Sequence, residues 1–214
     1  MIKKLLVLFV VLAVVGSGSA FAFFGKGANG AKNDKKVPRI TLNNGTKIPQ
    51  LGLGTYTLND TNGEAYNAVL TALKDGYRHI DTAHAYQNEK SVGRAIKDSK
   101  IKRSDIWVTS KLWPTDYPEA DKAIDKMLDR LGLEYIDLIY LHQPVGEYIS
   151  AWNSLVKAQK EGKVRAIGIS NFDNVEEIYD SFMAEVKVKP QIMQLECHPY
   201  AQRVHWQKKL KADN

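Results

Sequence analysis

Ile136-Asp137-Leu138-Ile139-Tyr140-Leu141-His142 and, further on, Val164-Arg165-Ala166-Ile167-Gly168-Ile169-Ser170-Asn171 decide the architecture. Each is a short, almost continuous apolar run that ends abruptly in polar residues. A strand with one wet face alternates apolar and polar side chains, whereas a run this uniformly apolar is buried on both faces, as in a parallel sheet covered by helices. Runs of the same kind span Gln50 to Gly54, Tyr77 to Ile80, Ile106 to Thr109 and Gln191 to Leu195. Between the runs lie amphipathic segments, Gly63 to Asp75, Glu119 to Leu131, Tyr148 to Glu161 and Val175 to Glu185, with apolar residues at helical spacing such as Ala65, Val69 and Ala72. A last helix is expected from His205 to Leu210.

The centres of the last five strands recur roughly every 28 residues, a period that suits one strand-helix unit of a closed barrel. A doubly wound sheet is the competing architecture. It usually carries a glycine-rich turn that opens a helix after the first strand, and Leu51-Gly52-Leu53-Gly54-Thr55 lacks the third glycine. The fold class read from the sequence is therefore α/β, a (β/α)8 TIM barrel represented by about six βα units. An N-terminal β-hairpin precedes it: Arg39 to Leu42 and Lys47 to Ile48 flank Asn43-Asn44-Gly45-Thr46, where Asn-Gly supplies the positive φ of a tight turn.

Of the 214 residues 44% are hydrophobic and 25% charged, which excludes disordered, collagen-like and coiled-coil chains. The single cysteine, Cys197, can neither close an internal disulfide nor by itself furnish a cysteine-rich zinc site. The net charge of +6 includes Lys3 and Lys4, which lie outside the expected fold, so charge gives no support for a nucleic-acid partner. Met1 to Lys4 is a short basic start, Leu5 to Val15 an unbroken apolar run, and Gly16 to Ala22 a patch of small residues. That is the layout of a secretory signal peptide. Residues 1–22 are thus expected to be a leader or, if retained, a membrane anchor, which implies an exported or tethered protein. Residues 23–37 read as a flexible linker and 38–214 as the folded part. No twin arginine and no cysteine at the cleavage site support a twin-arginine route or a lipoprotein anchor.

In a barrel of this class the chemistry sits at the C-terminal ends of the strands. Those ends carry Asp81 with Tyr86 in the following loop, then Ser110-Lys111, His142, Ser170-Asn171, and finally Gln194, Glu196 and His198. Singly, each has an ordinary structural explanation: Asp81 as a turn residue, Lys111 as a solvated lysine, Ser170-Asn171 as a helix cap. Together they converge on one mouth. Reducing a carbonyl by hydride needs a proton donor at the oxygen, and a tyrosine is a weak acid at neutral pH unless a cation stabilises its phenolate. Lys111 can be that cation, Asp81 can keep it charged, and His142 can orient the carbonyl. Serine and side-chain amides suit a nicotinamide carboxamide, which both donates and accepts. Glu196, Cys197 and His198 alternate sides along a strand, so no metal site is expected.

The chain resembles the aldo-keto reductase superfamily. The resemblance rests on Gly76-Tyr77-Arg78-His79-Ile80-Asp81-Thr82-Ala83 with Tyr86, Glu89 and Gly93, on Thr109-Ser110-Lys111-Leu112-Trp113, and on Asp137 to His142. It continues through Lys163 to Phe172 and Gln194-Leu195-Glu196-Cys197-His198-Pro199-Tyr200. It implies that Asp81, Tyr86, Lys111 and His142 form a catalytic tetrad with Tyr86 as acid-base. It implies as well that Ser170, Asn171 and Gln194 hold the carboxamide of a nicotinamide cofactor, usually NADPH with NADH left open, and that Thr55 lies against the cofactor's inner part. Trp113 and Tyr56, with His142, would line the substrate mouth. The implied activity is reduction of an aldehyde or ketone, a small-molecule carbonyl, to an alcohol. A cofactor-binding regulatory module and an inactive truncated fragment are the alternatives. The family barrel has eight βα units and this sequence shows six, so the chain reads as a C-terminally truncated member: about 192 residues follow the leader against roughly 250 for a whole barrel.

Overall fold

The computed structural model describes residues 6–7 and 37–213. The leader expected over residues 1–22 lies outside the described residues except for Leu6–Val7, and the linker over 23–37 lies outside them except for residue 37. In chain order the strands are β1 (Leu6–Val7), β2 (Arg39–Thr41), β3 (Lys47–Pro49), β4 (Leu53–Gly54), β5 (His79–Asp81), β6 (Trp107–Leu112), β7 (Ile136–Leu141), β8 (Val164–Ser170) and β9 (Ile192–Gln194). The α-helices are α1 (Glu64–Lys74), α2 (Glu89–Asp98), α3 (Ala120–Leu131), α4 (Tyr148–Lys160), α5 (Glu176–Glu185) and α6 (Val204–Ala212).

One parallel sheet runs in the order β1-β9-β8-β7-β6-β5-β4, so the six strands from β4 to β9 follow each other in space as in sequence. A parallel neighbour can be reached only through a crossover, and from β5 on each crossover carries a helix. The result is a partial (β/α)8 barrel with its helices outside. At the far edge Leu6 lies opposite Ile192 and Val7 opposite Met193.

Strands β6 and β7 are buried along their full length, the polar Thr109, Ser110, Lys111 and Asp137 included. Alternation then sorts their side chains into two layers. Ile139, Leu141, Ile167 and Ile169 face the helices in the main core, with Val92, Ile124, Leu155 and Phe182. Leu138, Tyr140 and Ala166 face the barrel interior, with Trp107, Ile192, Leu42 and Ile48. The last two belong to the hairpin segment, whose β2 and β3 pair antiparallel and close the floor of the barrel. Gly45, at φ +85°, is the one residue of its turn in the left-handed region, as the Asn-Gly reading requires.

The boundaries shift in places. The first barrel strand is shorter than expected, Leu53–Gly54, while β6 continues through Ser110 and Lys111 to Leu112. Helix α2 fills the stretch between β5 and β6, where an amphipathic segment is expected without stated bounds.

Candidate active site

Asp81 ends β5 and Lys111 lies in neighbouring β6, two strands held by parallel pairing from His79–Trp107 to Asp81–Thr109. The strand continues past the pairing, so the Lys111 side chain reaches the Asp81 carboxylate inside the mouth. Lys111 is 1% exposed and Asp81 5%. The ammonium pairs with Asp81 Oδ1, donates to the Thr82 carbonyl at 2.9 Å and reaches the Tyr86 hydroxyl at 3.2 Å. All three protons of the cation are thereby directed. Tyr86 ends a short 3-10 turn, His84–Tyr86, whose closing residue Gln87 has φ +55°. That turn folds the phenol back over the strand ends.

His142 follows β7 and packs edge-on against two rings: Tyr86 at 5.7 Å between centroids and Trp113 at 5.0 Å. Tyr56, half exposed, completes the row at 5.1 Å from Tyr86. Neither ring nitrogen of His142 bonds a described residue, and Nδ1 is enclosed without a partner.

The electrostatics follow from burial set against one ion pair. Burial opposes the charge on Lys111, but Asp81 and Tyr86 more than offset it, and the lysine pKa is raised. Burial pushes the Tyr86 phenol above its ordinary range, with Lys111 acting in the opposite direction without reversing it. The cation therefore moderates the tyrosine's pKa and does not depress it below the usual value. Burial, with help from Lys111, lowers the His142 pKa to about 3, so this imidazole is neutral at physiological pH.

Opposite the tetrad, Ser170 and Gln194 sit in register at the ends of β8 and β9. Gln194 reaches across the barrel and donates from Nε2 to Asp81 Oδ2 at 2.8 Å. Asn171, at φ +61°, donates from Nδ2 to the His142 carbonyl at 2.9 Å; asparagine tolerates this left-handed backbone better than most residues. These bonds leave Asn171 Oδ1, Gln194 Oε1 and the Ser170 hydroxyl free of described partners. They border a cavity of about 750 Å³ lined also by Gly54, Tyr56, Asp81, Tyr86, His142 and the segment from Leu195 to Tyr200.

Three expected site residues do not line this cavity: Lys111, Trp113 and, placed most differently, Thr55. It is fully buried, and its hydroxyl is bonded to the Asp81 carbonyl at 3.1 Å and to Asn88 Oδ1 at 3.3 Å, beneath the cavity wall. Glu196, Cys197 and His198 line the cavity but are engaged locally. His198 Nε2 meets Glu196 Oε1 at 2.9 Å, and Cys197 Sγ points to the Gln202 carbonyl.

Several polar supports surround these residues. His84 Nδ1 bonds Asp116 Oδ2 at 2.7 Å, and the same oxygen accepts the Trp113 amide at 2.9 Å, which ties the Tyr86 turn to the Trp113 side of the mouth. Buried Glu89 accepts from the Ser110 hydroxyl at 2.6 Å and from Arg130. Glu89 was visible only as part of a resemblance, and nothing in spacing marks His84 and Asp116 as partners.

A sequence profile described as "Aldo/keto reductase family" matches residues 50–212. Among curated relatives, 9,11-endoperoxide prostaglandin H2 reductase of Trypanosoma cruzi is 42% identical over 169 residues, covering 77% of this chain and 58% of that protein. Glycerol 2-dehydrogenase (NADP(+)) of Saccharomyces cerevisiae is 40% identical over 190 residues, covering 75% and 60%. A crystal structure of a Bombyx mori aldo-keto reductase in complex with NADP superposes with a TM-score of 0.75 at 32% identity, covering 83% of this chain and 62% of that one. The chain thus spans roughly three fifths of the length of these curated relatives. A profile match over most of the chain, the ordered parallel strands and the polar groups at their C-terminal ends agree, and the chain belongs to the aldo/keto reductase family.

Proposed function

We propose that the protein is an NAD(P)H-dependent carbonyl reductase in which Tyr86 is the general acid. The observation that carries this reading is the Lys111 ammonium, fully buried and held at once by Asp81, the Thr82 carbonyl and the Tyr86 hydroxyl. The free atoms of Ser170, Asn171 and Gln194 fit a carboxamide: the two side-chain carbonyl oxygens can accept from its NH2 group and the hydroxyl can donate to its oxygen. A nicotinamide bound there supplies the hydride. The printed names and titles of relatives that use or bind NADP support the same choice of cofactor.

The remaining work falls to this chain's own side chains. With its pKa raised, Tyr86 keeps its proton at neutral pH and can donate it to the oxygen of a carbonyl as negative charge develops. Lys111 stabilises the phenolate left behind. Neutral His142 has one ring nitrogen enclosed without a partner. An unpaired buried N–H costs more than an unpaired acceptor, so the proton belongs on Nε2, where it can bond the substrate oxygen. The aromatic row of Tyr56, Tyr86, His142 and Trp113 gives that carbonyl a flat, largely apolar entrance. Residues 1–22 have the layout of an export leader, and we propose export as the protein's route.

The test is NADPH oxidation by the full chain against a panel of aldehydes and ketones. Replacing Tyr86 by Phe should lower kcat by at least about a hundredfold while leaving cofactor binding, read by fluorescence, within about twofold. Turnover surviving in Y86F would remove Tyr86 as the acid, and absence of both binding and turnover in the parent chain would overturn the reductase reading.

A further inference from the structure

Asn88 immediately precedes α2, the position from which asparagine commonly caps a helix by accepting an amide of the first turn. Here its side chain makes no such bond. The residue is fully buried, and its carboxamide is turned towards the ends of two strands. Oδ1 accepts from the Thr82 hydroxyl at 2.7 Å and from the Thr55 hydroxyl at 3.3 Å, while Nδ2 donates to the Thr55 carbonyl at 2.9 Å and the Leu58 carbonyl at 3.1 Å. Both amide donors are thus used and Oδ1 takes the Thr82 proton outright, while the single Thr55 proton is shared between Oδ1 and the Asp81 carbonyl at 3.1 Å.

The two threonines matter because of what they carry. The Thr82 carbonyl is one of the two fixed acceptors of the Lys111 ammonium, the other being Asp81. Thr55 precedes Tyr56 at the mouth, and its amide and hydroxyl both bond the Asp81 carbonyl, at 2.9 and 3.1 Å. An ammonium has three donors at tetrahedral angles. When two are anchored, the direction of the third is set, and in this site it points to the Tyr86 hydroxyl. With one anchor lost, the group can swing about its contact with Asp81.

We propose that Asn88 is a positioning residue of the active site: by fixing Thr82 it fixes the carbonyl that, with Asp81, aims the Lys111 ammonium at Tyr86. The forgone cap agrees with this, since the side chain leaves a locally stabilising role for one that only the strand ends need. The inference rests on the reading of Tyr86 and Lys111 as acid and partner, but its first test requires no turnover.

In the full chain, the Lys111 ammonium is followed by ¹⁵N NMR, its signal assigned by loss in K111M. A cation with three directed protons exchanges them slowly with water. Asn88→Ala and Thr82→Val should each speed that exchange by at least about tenfold and lower kcat by a similar factor, with KM changed by less than about threefold. Thr82→Ser, which keeps the hydroxyl, should restore both. The double variant N88A/T82V should be no worse than either single one, because both break the same chain of contacts.

A loss of melting temperature in N88A with ammonium exchange and kcat within about twofold of the parent would reduce Asn88 to a structural role and overturn the proposal. If N88A does not fold, T82V decides alone: behaviour indistinguishable from T82S overturns the proposal, and fast exchange supports it. Should the parent chain reduce no carbonyl, the reductase reading fails, and the exchange measurements still judge Asn88.

Discussion

Lys111 and Asp81 are buried together, and such a pair is worth more intact than its net contribution suggests. Removing one partner leaves the other charged and dry, which typically costs about 3–5 kcal/mol, whereas removing both can be close to neutral. Lys111→Met should therefore destabilise the chain by about 3 kcal/mol in urea titrations, somewhat offset by the Gln194 amide that also serves Asp81. Adding Asp81→Asn should return part of that loss, and a double variant weaker than K111M would show that the pairing is not what the lysine provides. The same residues set the pH profile of turnover. With His142 lowered to about 3 and Tyr86 above its ordinary range, kcat should be level through the neutral region. It should fall only above about pH 10, as the proton that Tyr86 donates is lost. An inflection near pH 6.5 in kcat would mean that a histidine titrates in the site. At this scale the sequence was informative wherever a polar residue closed an apolar run: Asp81, Lys111, His142, Ser170, Asn171 and Gln194 all meet at the mouth. Thr55, Asn88 and the His84–Asp116 pair were not legible in that way. Their roles depend on which hydroxyl or amide faces inward, and periodicity carries no information on that.

Among the elements, β7 and β8 were the most legible because burial leaves few polar residues along them, whereas Thr109, Ser110 and Lys111 fill the second half of β6 and hid its end. Helix α2 was the least. Val92, Ala95 and Ile96 keep helical spacing, but the buried face also takes Glu89, Ser91 and Gly93, whose partners no periodicity announces. Gly93 shows the constraint directly. A Cβ built there would stand 2.0 Å from the Leu131 carbonyl oxygen, at the end of α3, and backbone cannot be moved aside as a side-chain tip can. The glycine lowers intrinsic helix propensity by about 1 kcal/mol relative to alanine, and the close approach of the two helices offsets that cost. Gly93→Ala should consequently destabilise the chain by about 2–4 kcal/mol despite alanine's better propensity, measured as a lower urea midpoint. Because α2 begins next to Asn88 and Glu89, the helix cannot shift outward without disturbing the strand ends. A neutral or stabilising G93A would mean that α2 and α3 are not packed this closely.

For the molecule as a whole, the interior of the barrel was the hardest part to foresee. The hairpin was legible from its Asn-Gly turn, but not that Leu42 and Ile48 would pack on Trp107, Tyr140 and Ile192 as a floor, since that depends on curvature that no local pattern encodes. The same enclosure buries His79 with its Nε2 bonded to the Thr109 hydroxyl at 2.9 Å, and burial lowers its pKa to about 4. Together with His142 at about 3, this makes two imidazoles that the folded chain holds neutral and the unfolded chain protonates near pH 6.5. The sign follows from proton counting. Below pH 6.5 the unfolded state binds more protons than the folded one, so stability falls with pH until the folded-state values are reached. Between pH 7 and pH 5 the loss should be on the order of 2 kcal/mol per histidine, a window that lies above ordinary carboxylate titration. His79→Gln retains an amide nitrogen for Thr109 and removes the titration. It should cut the pH dependence of the urea unfolding free energy by about half, because His142 still contributes. An unchanged slope in H79Q would show that His79 is solvated and titrates normally, and the tightly closed floor that keeps it dry would have to be given up with it.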